Sequence, residues 1–212
     1  MNPARLEIDG EPIGEGRERI CYKHPDDPGK LVKIQKGPSD KQTRRELQLY
    51  RRLARRRGTD YSQLPRFYGQ VKTNLGPGFV TDLIVDYDGQ VSKPLSWYFA
   101  RGYPMEEFLP YLEDLKDYLL KNQVVISADI RRTNVLFQRL SEERARLVVI
   151  DGLGNHSAIN WLDSLRWVTD SKIERRWERF ITQLKIHSDE MLHDYGGEPK
   201  PLEAGYRRES RI

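Results

Sequence analysis

The sequence predicts an α+β fold in two lobes: an antiparallel β lobe carrying one long helix, followed by a shortened, mostly helical lobe. Three observations predict it. Within the first 81 residues, short apolar runs rich in β-branched side chains alternate with turns containing Gly, Pro or Asp. One arginine-rich segment among them, TRRELQLYRRLARRR, spaces Leu47, Leu49, Tyr50 and Leu53 as a helix does, with Gly58 as its stop. From residue 91 onward helical stripes dominate, broken by a single hairpin pattern near 135–150.

The elements follow in order. Ile13, then Ile20–Cys21–Tyr22, flank the G-x-G of Gly14 and Gly16, and Lys30–Ile34 (KLVKI) follows a turn at His24–Gly29. That is strand, Gly loop, strand, turn, strand, with Lys33 in the last. Glu46 sits thirteen residues on, in the expected helix. Phe67–Val71 and Phe79–Ile84 read as strands around a tight turn at Leu75–Gly78. The first lobe thus spans 1–81, a polar link 82–90, and the second lobe 91–195. In that lobe a short helix is expected over Pro94–Ala100 and a longer one over Met105–Asn122, whose Phe108, Leu109, Leu112, Leu115 and Leu119 form one core stripe. Two more are expected at Asn160–Val168 and Ile173–His187, seated by Trp161, Trp167 and Trp177. Residues 196–212, with Gly, Pro and mixed charge, read as a mobile tail.

The chemistry concentrates in Ile126–Gly154, ISADIRRTNVLFQRLSEERARLVVIDGLG. Val135–Phe137 and Leu147–Ile150 read as strands joined by the polar SEERAR turn. Antiparallel pairing brings Asn134, before the first strand, and Asp151, after the second, to one end of the hairpin, with Asp129 on the loop leading in. Asp and Asn are common turn residues. Three of them tied to one hairpin, however, make a hard-oxygen set suited to Mg²⁺ and a phosphate. A strand lysine, here Lys33, paired with a helix glutamate, here Glu46, is one way to hold the α- and β-phosphates, with a Gly loop covering them. A solvated strand lysine and an i,i+4 helix glutamate are the plainer readings of each residue alone.

In this ordered series the chain resembles the protein-kinase-like superfamily over roughly residues 10 to 155. The wording of IGEGRERICYKHP, RRELQLYRRL, ADIRRTNVLF and VVIDGLG is similar to the YrbL-like family, the PhoP regulatory network proteins, a bacterial group of small kinase-like proteins. The resemblance implies a minimal bilobal kinase fold with ATP and Mg²⁺ as cofactors. It implies catalytic roles for Asp129 as the hydroxyl-orienting carboxylate, Lys33 on the phosphates and Arg131 near the γ-phosphate. Nucleotide contacts fall to Gly14, Gly16, Cys21 as the adenine roof, Lys33, Glu46, Thr81 as gatekeeper, and the backbones of Asp82 and Ile84. Asn134 and Asp151 become the metal ligands.

The chain departs from that pattern at several points. Arg19 stands at the third glycine of the loop, and Ser127-Ala128 replaces the H-R of H-R-D. The D-F-G becomes Asp151-Gly152-Leu153 with Gly154 one place late, and no A-P-E follows. Fewer than about 60 residues remain after Gly154, too few for a full substrate-binding lobe.

Composition excludes other classes. Arg5, Glu7 and Asp9 interrupt any apolar start, and no apolar run approaches the roughly 20 residues that span a bilayer. Cys21 is the single cysteine, and the four histidines show no paired-ligand spacing. A bacterial cytoplasmic protein is the expectation. Net charge is +4, with Arg44, Arg45, Arg51, Arg52, Arg55, Arg56 and Arg57 crowding one helix. This reads first as a solvated face, and no aromatic motif supports a nucleic-acid partner. The expected function is ATP-dependent phosphotransfer to an unidentified hydroxyl on a protein, sugar or small metabolite. The alternatives are a nucleotide-binding pseudokinase and a basic adaptor without catalysis.

Overall fold

A run such as KLVKI, apolar on both faces of a strand, must be covered on both sides, and in the computed structural model it is. The structure describes residues 5–16, 18–37, 41–127, 130–154 and 166–202, and the backbone of 207–208. Asp129, Trp161 and His156 lie outside the described residues.

The first sheet has five antiparallel strands: β1 (Gly14–Glu15), β2 (Arg19–His24), β3 (Asp27–Gln35), β4 (Phe67–Thr73) and β5 (Gly76–Asp82), in the order β1-β2-β3-β5-β4. Val32 and Ile34 of β3 join Ile8 and Val80 in a small apolar cluster. Gly76 and Gly78, expected in a turn, lie within β5, because the chain reverses earlier, at Asn74–Leu75.

Helix α1 (Lys41–Ala54) follows β3 and buries Glu46, Leu47, Leu49, Tyr50 and Leu53. Its last apolar residues do not serve the first lobe: Leu49, Tyr50 and Leu53 belong to the large core of the second. Arg52, in its last turn, and Arg56, just beyond its end, complete the join. Arg52 donates to the Gln123 carbonyl at 2.6 Å, and Arg56 to the Asn122 carbonyl at 2.8 Å. Those carbonyls end helix α3 (Leu109–Asn122), where unpaired C=O groups favour cations.

The second lobe contains β6 (Lys93–Pro94), α2 (Leu95–Phe99), a 3₁₀ turn at Met105–Phe108, α3, and the hairpin of β7 (Val135–Arg139) and β8 (Arg144–Val149). The expected Met105–Asn122 helix therefore begins as 3₁₀, with Pro110 in the first α turn. The hairpin strands run further toward the turn than the apolar pattern suggested. Ala145 is fully buried, and Arg146 reaches across to Gln138 at 2.9 Å. Phe137 is packed edge-on by Tyr98, Phe108 and Tyr111, at centroid distances of 5.0–5.4 Å.

Of the helix expected at Asn160–Val168, residues 160–165 lie outside the described residues, and 166–168 continue without a break into the one expected at Ile173–His187, as helix α4 (Arg166–Tyr195). Ile173, Trp177, Phe180 and Leu184 form its buried stripe. Trp167, expected to seat the helix, is 68% exposed, so Trp177 alone of the three expected tryptophans is seen to do so. Among the described residues no helix is long and apolar enough to cross a membrane. The expected mobile tail is instead docked where it is described. The Lys200 amide donates to the Gly102 carbonyl at 2.7 Å, and the Leu202 amide to Glu107 at 3.0 Å. Farther on, β9 (Arg207–Arg208) pairs in parallel with β8.

Candidate functional site

Hairpin register does the first piece of construction. Val135 pairs with Val149, and the Ile150 amide donates to the Asn134 carbonyl at 2.9 Å. Asn134 and Asp151 are thereby held at the same strand end, as the sequence pattern required. Asn134 closes a short 3₁₀ turn, its own amide bonded to the Arg131 carbonyl at 2.9 Å.

The chain after Asp151 runs in a fixed groove. The Ser127 amide donates to the Gly152 carbonyl at 2.7 Å, the Gly154 amide to the Val125 carbonyl at 2.9 Å, and Ile126 bridges Leu153. Leu153 is 2% exposed and packs into the main core. Gly154 sits at φ +100° with the Arg45 carbonyl oxygen 2.9 Å from where a Cβ would be. A side chain is excluded there both by conformation and by space. The late glycine of D-G-L-G is thus set by how closely this segment approaches α1. Helix α4 braces the same region through Arg176, which donates to the Ile126 carbonyl at 2.6 Å.

Lys33 and Glu46 meet from β3 and α1. The lysine Nζ lies 3.0 Å from Glu46 Oε1 and also donates to the Ile150 carbonyl at 2.6 Å. Lys33 is 3% exposed and Glu46 fully buried, so neither is a solvated surface charge. The cavity that Lys33 helps to wall, with Glu46 behind it and outside the lining, measures about 540 Å³. Gly14, Gly16, Cys21, Lys33, Arg131, Asn134 and Asp151 line it, together with Leu31, Gln42, Arg45 and Ser127.

The remaining expected contacts lie apart from that lining. Thr81, itself on β5, is fully buried. The Asp82 amide is engaged by the Arg66 carbonyl at 3.1 Å, and the Ile84 carbonyl accepts from Ser92 at 3.1 Å. The Ile84 amide has no partner among the described residues. Beneath it, Ile84, Leu136 and Val148, with Ile150 against them, form a separate apolar cluster at the lobe junction. Of the loop carrying Asp129, the flanking Ser127 and Ile130 are described. A Cβ on Gly152 would lie 3.2 Å from Ser127 Oγ and 3.5 Å from both Ile130 Cγ1 and Asn134 Nδ2.

Sequence reasoning weighed Arg19 only as a missing glycine and passed over Gln42. Arg19 is only 4% exposed. Its guanidinium donates to Glu46 Oε2 at 2.6 Å and also to Asp151 Oδ1. Gln42 donates to the same Oδ1 at 2.5 Å, and the Gly152 amide at 2.6 Å. Period-two alternation carried the signal. Cys21 pairs with Lys33 on the cavity face, and Arg19, two residues earlier, faces the same way.

Burial opposes ionisation of Asp151, but the Arg19 and Lys33 cations and the Gly152 amide outweigh it and hold its pKa below the ordinary carboxylate value. For Cys21 burial wins: its thiol pKa is raised despite Lys33 and Arg19. The donor set suits a hard cation that keeps most of its shell. Asp151 Oδ2 has no protein partner among the described residues, and the Asn134 amide oxygen lies on the same strand end. No group of three or more His, Cys, Asp or Glu among the described residues could hold a metal. Two protein oxygens, completed by phosphate and water, is how Mg²⁺ is commonly bound.

Several known proteins are similar to this chain. The protein described as "uncharacterized protein YrbL" in Escherichia coli (strain K12) is 39% identical over 179 residues, 81% of this chain and 84% of its own. The protein of that description in Shigella flexneri matches to the same extent. A solved kinase domain overlaps with a TM-score of 0.48 at 12% identity, covering 70% of this chain and about half (51%) of that domain. Residues 7–185 match the family model described as PhoP regulatory network protein YrbL, and the chain belongs to that family.

Proposed function

We propose that the chain is an ATP-dependent phosphotransferase with Mg²⁺ as cofactor, moving the γ-phosphate to a hydroxyl acceptor. One observation carries the reading: the buried Lys33–Glu46 pair, whose ammonium also reaches Ile150, the residue before Asp151, at the wall of one cavity. In such a site Lys33, fixed by Glu46, neutralises the α- and β-phosphates, and the backbone at Gly14–Gly16 covers them. Cys21 and Leu31 lie over the adenine, with Ile84, Leu136, Val148 and Ile150 beneath it. The open Ile84 amide and the Asp82 carbonyl bond its edge, and Thr81 stands behind. Asn134 and Asp151 Oδ2 hold the cation, which when bound supplies charge neutralisation on the phosphates. Arg131, exposed at the cavity, meets the γ-phosphate. Asp129 orients the acceptor hydroxyl and takes its proton.

The test is thermal stability with and without Mg-ATP, in the wild type and Asp151→Ala, followed by γ-phosphate transfer assays. At a hundred times Kd a ligand stabilises the fold by about 2.7 kcal/mol. A magnesium-dependent shift absent from Asp151→Ala supports the reading, and no shift in either protein removes it. Turnover surviving Asp129→Ala would strike out that residue's role.

A second reading, a nucleotide-binding pseudokinase acting as a regulatory protein, is favoured by the Arg19 contact to Asp151. It expects ATP binding with no transfer. The adaptor reading is weakened, because Arg52 and Arg56 are engaged by α3.

A further inference from the structure

Arg19 is a buried, permanent cation that the phosphotransfer chemistry does not call for. Its two terminal nitrogens go to two different carboxylates, Glu46 and Asp151, and its Cζ lies 5.4 Å from the Phe79 ring centroid. With it in place, Lys33, Arg19, Glu46 and Asp151 balance in charge. Without it the group would carry one negative charge, the sign that a cation site needs. Oδ1 of Asp151 is already saturated by Arg19, Gln42 and Gly152. A divalent cation binding at Oδ2 would share the carboxylate with the buried guanidinium, and two cations on one carboxylate repel.

We propose that Arg19 is the resident counter-ion of Asp151 and sets the order of loading: the polyphosphate anion enters first, and the divalent cation only once Arg19 has turned from Asp151 to phosphate. The proposal rests on reading Asp151 as a metal ligand. Arg19 lines the cavity beside Gly14 and Gly16, and a guanidinium fork bonds phosphate oxygens as readily as carboxylate oxygens. An arriving anion therefore offers Arg19 an equivalent partner and at the same time restores the negative potential that the cation requires. Arg19 is a positioning residue in this scheme: it acts through Asp151.

The experiment uses the full chain and Mg²⁺ alone, without nucleotide, followed by thermal stability and by calorimetric titration. Arg19→Gln and Arg19→Ala remove the charge, while Arg19→Lys keeps it and serves if either neutral variant fails to fold. The expected result is Mg²⁺ binding at least roughly tenfold tighter in the neutral variants than in the wild type, with Arg19→Lys behaving as wild type. ATP in the presence of a chelator is expected to stabilise the wild type but not Arg19→Gln. Equal Mg²⁺ binding in the wild type and Arg19→Gln, or no Mg²⁺ response in any variant, overturns the proposal. So does a wild type indifferent to metal-free ATP. None of these depends on turnover. A Mg-ATP shift lost in Asp151→Ala would leave the nucleotide site standing while any of them removed the role of Arg19.

Discussion

Replacing Glu46 by Gln is the sharpest probe of the buried charge network. The amide keeps the volume of the carboxylate, so no cavity opens and only the charge is lost. Glu46 is fully buried and accepts from Arg19 at 2.6 Å and from Lys33 at 3.0 Å. Its neutralisation leaves two buried cations facing Asp151 alone. Removing one partner of a buried ion pair costs about 3–5 kcal/mol, and the amide oxygen can still accept a hydrogen bond, so the lower end, about 3 kcal/mol, is expected. In a chain of this size that corresponds to a Tm lower by about 6–12 °C. Urea unfolding reads it as a lower midpoint at unchanged slope. A double-mutant cycle separates the network from a local effect. Arg19→Met restores the balance of charge in the Glu46→Gln background and should cost far less there than in the wild type. A loss below about 1 kcal/mol for Glu46→Gln, or strictly additive effects in the cycle, would refute the view of these residues as one desolvated unit.

Other consequences are open to direct measurement. Because burial raises its pKa, the Cys21 thiol should alkylate slowly near neutral pH, more slowly still with nucleotide bound, as followed by mass spectrometry. Asp151 has a folded pKa below its unfolded value of about 3.9. Its contribution is therefore present above about pH 4 and lost as pH falls through the folded value, so the stability gap between wild type and Asp151→Asn should close on acidification. Gly154→Ala forces a Cβ against the Arg45 carbonyl at a positive φ. A loss of at least about 1 kcal/mol is expected in denaturant titration. Arg52→Ala with Arg56→Ala removes two bonds to the end of α3, and faster amide exchange at the start of that junction should accompany a loss of about 1–2 kcal/mol.

How far the site could be read from sequence depended on whether the information was local. The hairpin was legible because alternation, apolar runs and a polar turn together leave one register, and that register places Asn134 beside Asp151. Lys33 and Glu46 were legible as parts of an ordered series. Arg19 was not, because it was weighed as a missing glycine, although strand alternation from Cys21 already placed it on the cavity face. The polar stretch from Thr169 to Lys172 suggested a break in what is one helix. Thr169 is in fact buried, and Ile173 continues the stripe. Trp167 precedes Ile173 by six positions, about 240° around the helix, which puts it off that stripe. The last segment looked like a loose tail because composition does not register backbone amides that find acceptors on Gly102 and Glu107.

Helix α1 binds these findings together. In sequence it belongs to the first lobe, yet Leu49, Tyr50 and Leu53 are core residues of the second, and Arg52 and Arg56 fasten it to the end of α3. The Arg45 carbonyl lies against Gly154, and Gln42 reaches Asp151. Glu46 is therefore carried on an element held at both ends by the lobe that also carries Asn134 and Asp151. A swing of this helix that separated Glu46 from Lys33 would have to strip three apolar side chains from the main core and break both arginine contacts. At about 25 cal/mol per Å² of apolar surface, exposing three large side chains costs several kcal/mol before any hydrogen bond is counted. The Lys33–Glu46 pair is thus a permanent feature of the folded chain. The charge balance around Asp151 rests instead on one arginine side chain, Arg19, which belongs to none of the apolar clusters. The adjustable element of the proposed loading order is therefore Arg19 and not the helix.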